Sequence, residues 1–153
     1  MHTRYAQPFR YAKGFTLIEL VVATVIIGIL AIIAAPNFIA YRDKSRVAVG
    51  MGTGNAIQAA FSSFTTTSPN NLYPAAMANY GDLTAIVNAN GGLLKSAESE
   101  MGIEFRSYTA IDLDGDGERD SYTMSFKIMG VNPQNAGWCI VVRPSGVEKC
   151  PAQ

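Results

Sequence analysis

Histidine is almost missing from this chain of 153 residues, and the one that occurs, His2, stands at its beginning. Everything after it lacks imidazole, the commonest general base, and with it any Ser-His or Cys-His nucleophilic pair. Cysteine is scarce too. Cys139 and Cys150 are the only two, too few for the four Cys/His ligands of a structural zinc site. No glycine-rich phosphate loop and no nucleophile motif occurs, and Lys/Arg and Asp/Glu balance at twelve each. Bulk charge therefore gives no reason to expect nucleic acid or another polyanion as partner. Only carboxylate or lysine chemistry remains open to an enzyme. The length suits one domain with a modest core.

The zero net charge hides an asymmetry. Residues 1–14 contain Arg4, Arg10 and Lys13 and no acid, so the remainder has nine basic against twelve acidic side chains. Phe15–Ala40 follows as a strongly apolar run interrupted by Thr16, Glu19, Thr24, Pro36 and Asn37. As a helix at ~1.5 Å per residue it would extend about 39 Å, longer than the ~30 Å hydrocarbon core of a bilayer. Pro36 has no N–H for the preceding turn, so a kink or loosened helix is expected there. After the charged cluster Arg42–Arg46, the residues Val47, Met51, Gly54, Ile57, Phe61 and Phe64 step by three or four and share one helical face. Gly50, Gly52 and Gly54 oppose that helix by ~1 kcal/mol each relative to Ala. Packing must make up the deficit, or the helix breaks and restarts at a cap on Asn55.

Thr65–Pro69 and Asn70–Asn71 read as loop, and Asp82–Asn88 as a short helix ended by Asn90-Gly91-Gly92. Three segments alternate as strands: Glu104–Ile111, Ser121–Met129 and Gly137–Arg143, with Pro144-Ser145-Gly146 as a turn after them. An α+β fold satisfies this pattern: an antiparallel sheet with one apolar face, packed on the amphipathic half of a long N-terminal helix.

A basic leader before an apolar run also describes a secretory signal, with Ala31–Ala35 as its cleavage region. Glu19 argues against that, because a carboxylate in an apolar span is costly. The run is also long for such a signal. The stretch Gly14-Phe15-Thr16-Leu17-Ile18-Glu19-Leu20-Val21-Val22 resembles the prepilin motif of type IV pilins, type II secretion pseudopilins and competence pilins. The resemblance continues to about Arg46 and includes Pro36. It implies a pilin-like fold and cleavage between Gly14 and Phe15 by a membrane-embedded prepilin peptidase, which then methylates the Phe15 amine. The leader length and the Phe are similar to the type IVa class. On this reading residues 1–14 are a leader, 15–40 the membrane-spanning and polymerising half of the helix, and 41–153 the amphipathic half-helix with a globular head. Basic residues ahead of the span would hold the leader in the cytoplasm, although Arg42, Lys44 and Arg46 on the far side run against that rule. Glu19 would pair with the Phe15 amine of a neighbouring subunit as a registry device; the plainer alternative is an acid reaching the membrane edge.

The implied partners are other pilin subunits, the prepilin peptidase, the inner-membrane assembly machinery and, before assembly, membrane lipid; DNA is left open. The implied location is the bacterial inner membrane, then an extracellular pilus or periplasmic pseudopilus. Asp112, Asp114, Asp116, Glu118 and Asp120 stand at alternate positions with Gly117 at the sixth, as in an all-oxygen calcium loop. Position twelve is Thr123, not Glu, and the flanks read as strands, so the likeness is to calcium loops in the β-region of some pilins and pseudopilins. Glu118 would offer its backbone carbonyl. A solvated acidic turn is the alternative. In a periplasmic or extracellular setting Cys139 and Cys150 should pair, and many pilins have a similar C-terminal bridge. Trp138 reads as a core residue beside it, and Phe38 and Tyr41 as packing residues rather than an electron path. The leading function is a structural pilus subunit for adhesion, twitching motility or DNA uptake. A type II secretion pseudopilin comes second, and a tethered enzyme or binding domain is remote.

Overall fold

The structure, a computed structural model, describes residues 14–152; expectations that fall on residues 1–13, the basic leader among them, lie outside it. The chain forms two compact units, one ending at Ile39 and one beginning at Ala40. A single helix, α1 (Leu17–Thr67), supplies residues to both.

In the first unit, α1 carries its apolar side chains uncovered: Ile18, Leu20, Val25, Ile29 and Ile33 are all more than half exposed. Thr24 turns its hydroxyl back onto the Val21 carbonyl at 2.9 Å, which hides the only polar side chain between Leu20 and Ala35. The most apolar eighteen-residue window has a mean hydropathy of 2.9, and none of it is buried. By length and composition this helix can cross a membrane. The loosening expected at Pro36 does not end it; α1 continues through that position, and Asn37 Nδ2 donates to the Ile33 carbonyl at 3.3 Å.

In the second unit, α1 lays Val47, Gly54, Ile57, Ala60 and Phe61 into the core, with Met51 packed against it. The break considered at Gly50–Gly54 does not occur. Gly50 and Gly54 are the points of closest approach to the sheet. A Cβ on Gly54 would lie 2.7 Å from Val147 Cγ1 and 3.3 Å from Ile140 Cγ2, and one on Gly50 would strike Ile128. Burial of the strands against bare backbone offsets the propensity cost. Asn55 caps no restart and lies exposed within the helix. The C-terminal end also differs from expectation, because Thr65–Thr67, read as loop, are helical. Each of these three hydroxyls donates to the carbonyl three residues back, at 2.7–3.0 Å, which holds the last turn.

A short 3-10 turn at Pro69–Asn71 follows, with Asn70 and Asn71 at positive φ. Helix α2 (Tyr80–Ala89) starts two residues earlier than the sequence indicated, because Asn79 caps it by accepting from the Asp82 N–H. A single turn, α3 (Glu98–Met101), was not expected. The sheet is an antiparallel meander, β1 (Ile103–Ile111), β2 (Ser121–Ile128), β3 (Cys139–Arg143) and β4 (Gly146–Lys149), in that order. On β2 the alternation is complete: Tyr122, Met124, Phe126 and Ile128 are buried and the residues between them are not. β3 begins at Cys139 rather than Gly137, since Gly137 at φ +87° turns the chain. β4, read only as chain after a turn, pairs Gly146 with Arg143 across the two-residue connection Pro144-Ser145. Phe61 packs edge-on against Tyr108 and Tyr122, and Tyr73 leans on Tyr122. Burial raises the hydroxyl pKa of both Tyr108 and Tyr122.

Candidate functional site

The residues singled out from the sequence fall into three places. The first is the start of α1, where Gly14, Phe15 and Thr16 precede the helix and Phe15 is 80% exposed. Here the Phe15 nitrogen is still a peptide N–H, and Glu19 pairs with Thr16 instead. The Glu19 carboxylate accepts from the Thr16 N–H at 2.9 Å and from its hydroxyl at 2.7 Å, while Thr16 Oγ1 accepts from the Glu19 N–H at 3.3 Å. This reciprocal pair is a capping box, which satisfies two of the orphan donors at a helix start. Sequence reasoning passed over it, although the Thr-x-x-Glu spacing at 16–19 was in plain sight. Phe15, Ile18, Val22 and Ile26 share an open, shallow surface with Glu19. Among the described residues of that surface, the carboxylate is the only acid on an apolar face.

The second place is the connection between β1 and β2. Asp112, Asp114, Asp116 and Asp120 bring carboxylate oxygens within 4.8 Å of one another, all at the surface. Backbone N–H groups hold them there. Asp112 accepts from Gly115 at 2.6 Å and Gly117 at 2.8 Å, Asp116 from Glu118 at 2.7 Å, and Asp120 from Leu113 at 3.2 Å. Gly115 and Gly117 adopt φ of +83° and +88°, which a side chain would resist. The two N–H groups hold the Asp112 carboxyl below the usual aspartate range. The Glu118 carboxylate is not part of the cluster; it accepts from Asn70 Nδ2 at 2.9 Å. Arg119 donates from Nε to the Tyr73 carbonyl at 3.0 Å, and its own carbonyl accepts from the Tyr73 N–H. These ties to the segment after α1 had no short-range sequence pattern to reveal them. Four carboxylates presenting hard oxygens suit a divalent cation.

The third place is the C-terminal bridge. Cys139 and Cys150 form a disulfide, with Cα atoms 5.3 Å apart. Cys150 N–H donates to the Cys139 carbonyl, Gly137 N–H to the Cys150 carbonyl, and the buried Trp138 indole to the Pro151 carbonyl at 2.9 Å. The last residues are thus sewn to the start of β3.

Comparison with known proteins concerns the first of these places. The family model for the prokaryotic N-terminal methylation motif matches residues 9–35. The chain is 48% identical over 50 residues to the type IV narrow pilus major component of Thermus thermophilus, covering 33% of this chain and 43% of that one. It is 46% identical over 52 residues to the type IV major pilin protein of Myxococcus xanthus, covering 34% and 24%. Over 51 residues it is 45% identical to the type II secretion system core protein G of Pseudomonas aeruginosa, covering 33% and 36%. The chain therefore spans less than half the length of each of these relatives. No solved structure matches it. The chain carries the N-terminal methylation motif on a pilin-like α+β fold, and about a third of it is similar to type IV pilins and to a type II secretion system core protein.

Proposed function

We propose that this chain is the precursor of a non-enzymatic filament subunit, a type IV pilin. Prepilin peptidase cuts it between Gly14 and Phe15, and it polymerises with other copies through residues 15–40. The observation that supports this most is one acid, Glu19, on an otherwise apolar and wholly uncovered helix face inside the methylation motif. Apolar side chains left bare by their own chain need either lipid or neighbouring helices around them. Cleavage turns the Phe15 nitrogen into a positively charged amine at a helix start, and that charge needs a carboxylate once packed helices exclude water. Glu19 of a neighbouring subunit supplies it. Residues 41–153 then form the head, which the assembly machinery carries from the inner membrane into the pilus.

Calcium is the cation that best fits the Asp112–Asp120 loop. Asp112, Asp114, Asp116 and Asp120 would supply carboxylate oxygens and Glu118 its carbonyl. The ion's role is to cancel the mutual repulsion of the acids and stiffen the hairpin. A second reading, a subunit of a type II secretion pseudopilus, is favoured by the similarity to core protein G. Mass spectrometry of protein extracted from membranes tests the shared premise of both readings: the N-terminus should be Phe15 with one added methyl. An N-terminus at Met1, or one following Ala35, would overturn it.

A further inference from the structure

One hydroxyl in the core of the second unit is left unsatisfied by the fold. Tyr122 is 1% exposed, and its hydroxyl has no hydrogen-bond partner among the described residues. Ionisation offers it no escape, because burial first, and then Tyr73 and Tyr108, push its pKa up. A buried hydroxyl without a partner is costly, and water reaching it would remove the cost. A short stretch of chain stands over it. The Tyr73 ring lies against the Tyr122 ring with centroids 4.8 Å apart, and Pro74 beside it is buried.

That stretch has little regular structure of its own. It leaves α1 through the 3-10 turn at Pro69–Asn71, where Asn70 and Asn71 take φ of 61° and 56°, a region asparagine enters more readily than most residues. Residues 72–79 belong to no helix or strand. The ties that hold the stretch run to β1 and to the connection between β1 and β2. Asn70 Nδ2 donates to the Glu118 carboxylate at 2.9 Å. The Tyr73 N–H donates to the Arg119 carbonyl at 3.1 Å, and Arg119 Nε donates to the Tyr73 carbonyl at 3.0 Å. The Tyr108 hydroxyl donates to the Pro74 carbonyl at 2.7 Å. Glu118 and Arg119, which make all but the last of these bonds, lie in sequence between Asp116 and Asp120 of the aspartate cluster. A change in that connection therefore reaches the chain over Tyr122.

We infer that residues 72–74 are a lid over the Tyr122 hydroxyl, latched shut by Glu118 and Arg119, and that a cation among Asp112, Asp114, Asp116 and Asp120 controls the latch. The control rests on the reading of that cluster as a calcium site; the lid does not. With the lid shut, the four hydrogen bonds are made and the Tyr122 hydroxyl is dry and unpaired. With it open, the same groups and the hydroxyl all turn to water. The two states are close in free energy, because a hydrogen bond exchanged for water nets little while a buried unpaired group bears its full desolvation. A ligand that favours one of two such states sets their populations. A cation that takes the Glu118 carbonyl fixes the residue whose carboxylate grips Asn70, and so favours the shut state.

Hydrogen exchange of the full chain in detergent, read at the Tyr73 amide and at the amides of β2, tests this. With calcium at about ten times its Kd, the Tyr73 amide should exchange about tenfold more slowly than in chelator, while β2 stays protected in both. Tyr122→Phe removes the unpaired hydroxyl and should slow the exchange in chelator by about 5- to 150-fold. Asn70→Asp sets a second carboxylate against Glu118 on a residue that also tolerates positive φ, and should speed it by about two- to tenfold. Adding Glu118→Gln to that variant restores a donor facing an acceptor and should return the wild-type rate. Tyr73 exchanging in step with β2, Tyr122→Phe exchanging as wild type does, or no rescue by Glu118→Gln overturns the lid. A Tyr73 amide indifferent to calcium, while amides of the aspartate connection respond to it, overturns the control by the ion. If no amide responds to calcium, the calcium reading has failed rather than the lid, which the Tyr122 and Asn70 variants then decide.

Discussion

Gly50, Gly52 and Gly54 lie within five residues of one helix, and the structure gives them opposite consequences. At Gly52 a Cβ would meet nothing within 4 Å. Gly52→Ala should therefore gain the helix propensity alone, about 1 kcal/mol. At Gly54 the added methyl meets Val147 Cγ1 at 2.7 Å, Ile140 Cγ2 at 3.3 Å and Val142 Cγ2 at 3.4 Å, three side chains on two strands. Overpacking of that kind costs about 1–3 kcal/mol. Set against the same propensity gain of about 1 kcal/mol, Gly54→Ala should run from neutral to about 2 kcal/mol destabilising. Gly54→Val adds further atoms at the same contact and should be worse. At Gly50 the obstacle is the far end of Ile128, which can turn aside, so its cost should fall between the others. For a domain of this size 1 kcal/mol is about 4 °C in Tm. Near-UV circular dichroism of the full chain in detergent reports the head through Trp138 and the buried tyrosines. Gly52→Ala should melt higher than wild type and Gly54→Val lower. Equal shifts in one direction would mean that α1 does not meet the sheet through its glycines, and the packing described here would be wrong.

Four other outcomes follow from the remaining sites. Asp114→Ala with Asp116→Ala should abolish the rise in Tm that calcium gives the full chain, since a ligand of the folded state stabilises by mass action; wild-type melting that is the same in calcium and in chelator would make the loop a plain turn. Asp112, whose carboxyl is held low by Gly115 and Gly117 N–H groups, contributes stability above the ordinary aspartate pKa and loses it as pH falls through the lowered value, so Asp112→Asn should reduce the acid-side fall in Tm measured in chelator, and an unchanged fall would contradict the two hydrogen bonds. Reducing the Cys139–Cys150 bridge should cost about 3 kcal/mol by the chain-entropy model; in denaturant titrations an unchanged midpoint would contradict this. Glu19→Ala should still insert and be processed, yet accumulate as monomer in the inner membrane, with partial incorporation when wild type is co-expressed; filaments of normal number and length from the mutant alone would refute the pairing role.

Most of the architecture could be read from residue order because it is local. The period of three and four from Val47 to Phe64 and the alternation of Tyr122, Met124, Phe126 and Ile128 each report one buried face. The disulfide was reachable because only two cysteines exist. What escaped was set by partners distant in sequence. The helix runs unbroken past Gly50 and Gly54 because Ile128, Ile140 and Val147, far on in the sequence, need the room. β4 has only Val147 as a large apolar residue in Gly146–Lys149, too short for an alternating pattern, and exists because the turn and Cys150 return it to β3. The four aspartates were found by spacing, but that spacing could not say that the Glu118 carboxylate turns to Asn70. The capping box of Thr16 and Glu19 is different. It was legible in the Thr-x-x-Glu spacing, although an acid in an apolar run points to charge pairing as readily as to helix termination.

On the proposed function, copies of this chain assemble through the bare half of α1. Electron cryo-microscopy of the processed protein, purified from membranes together with its assembly machinery, tests it most directly. The expected result is helical filaments with residues 15–40 of successive copies packed at the centre, the heads outside, and Glu19 of one copy at the Phe15 amine of the next. Monomers only, or filaments held together by contacts between heads with the apolar helices left apart, would contradict it.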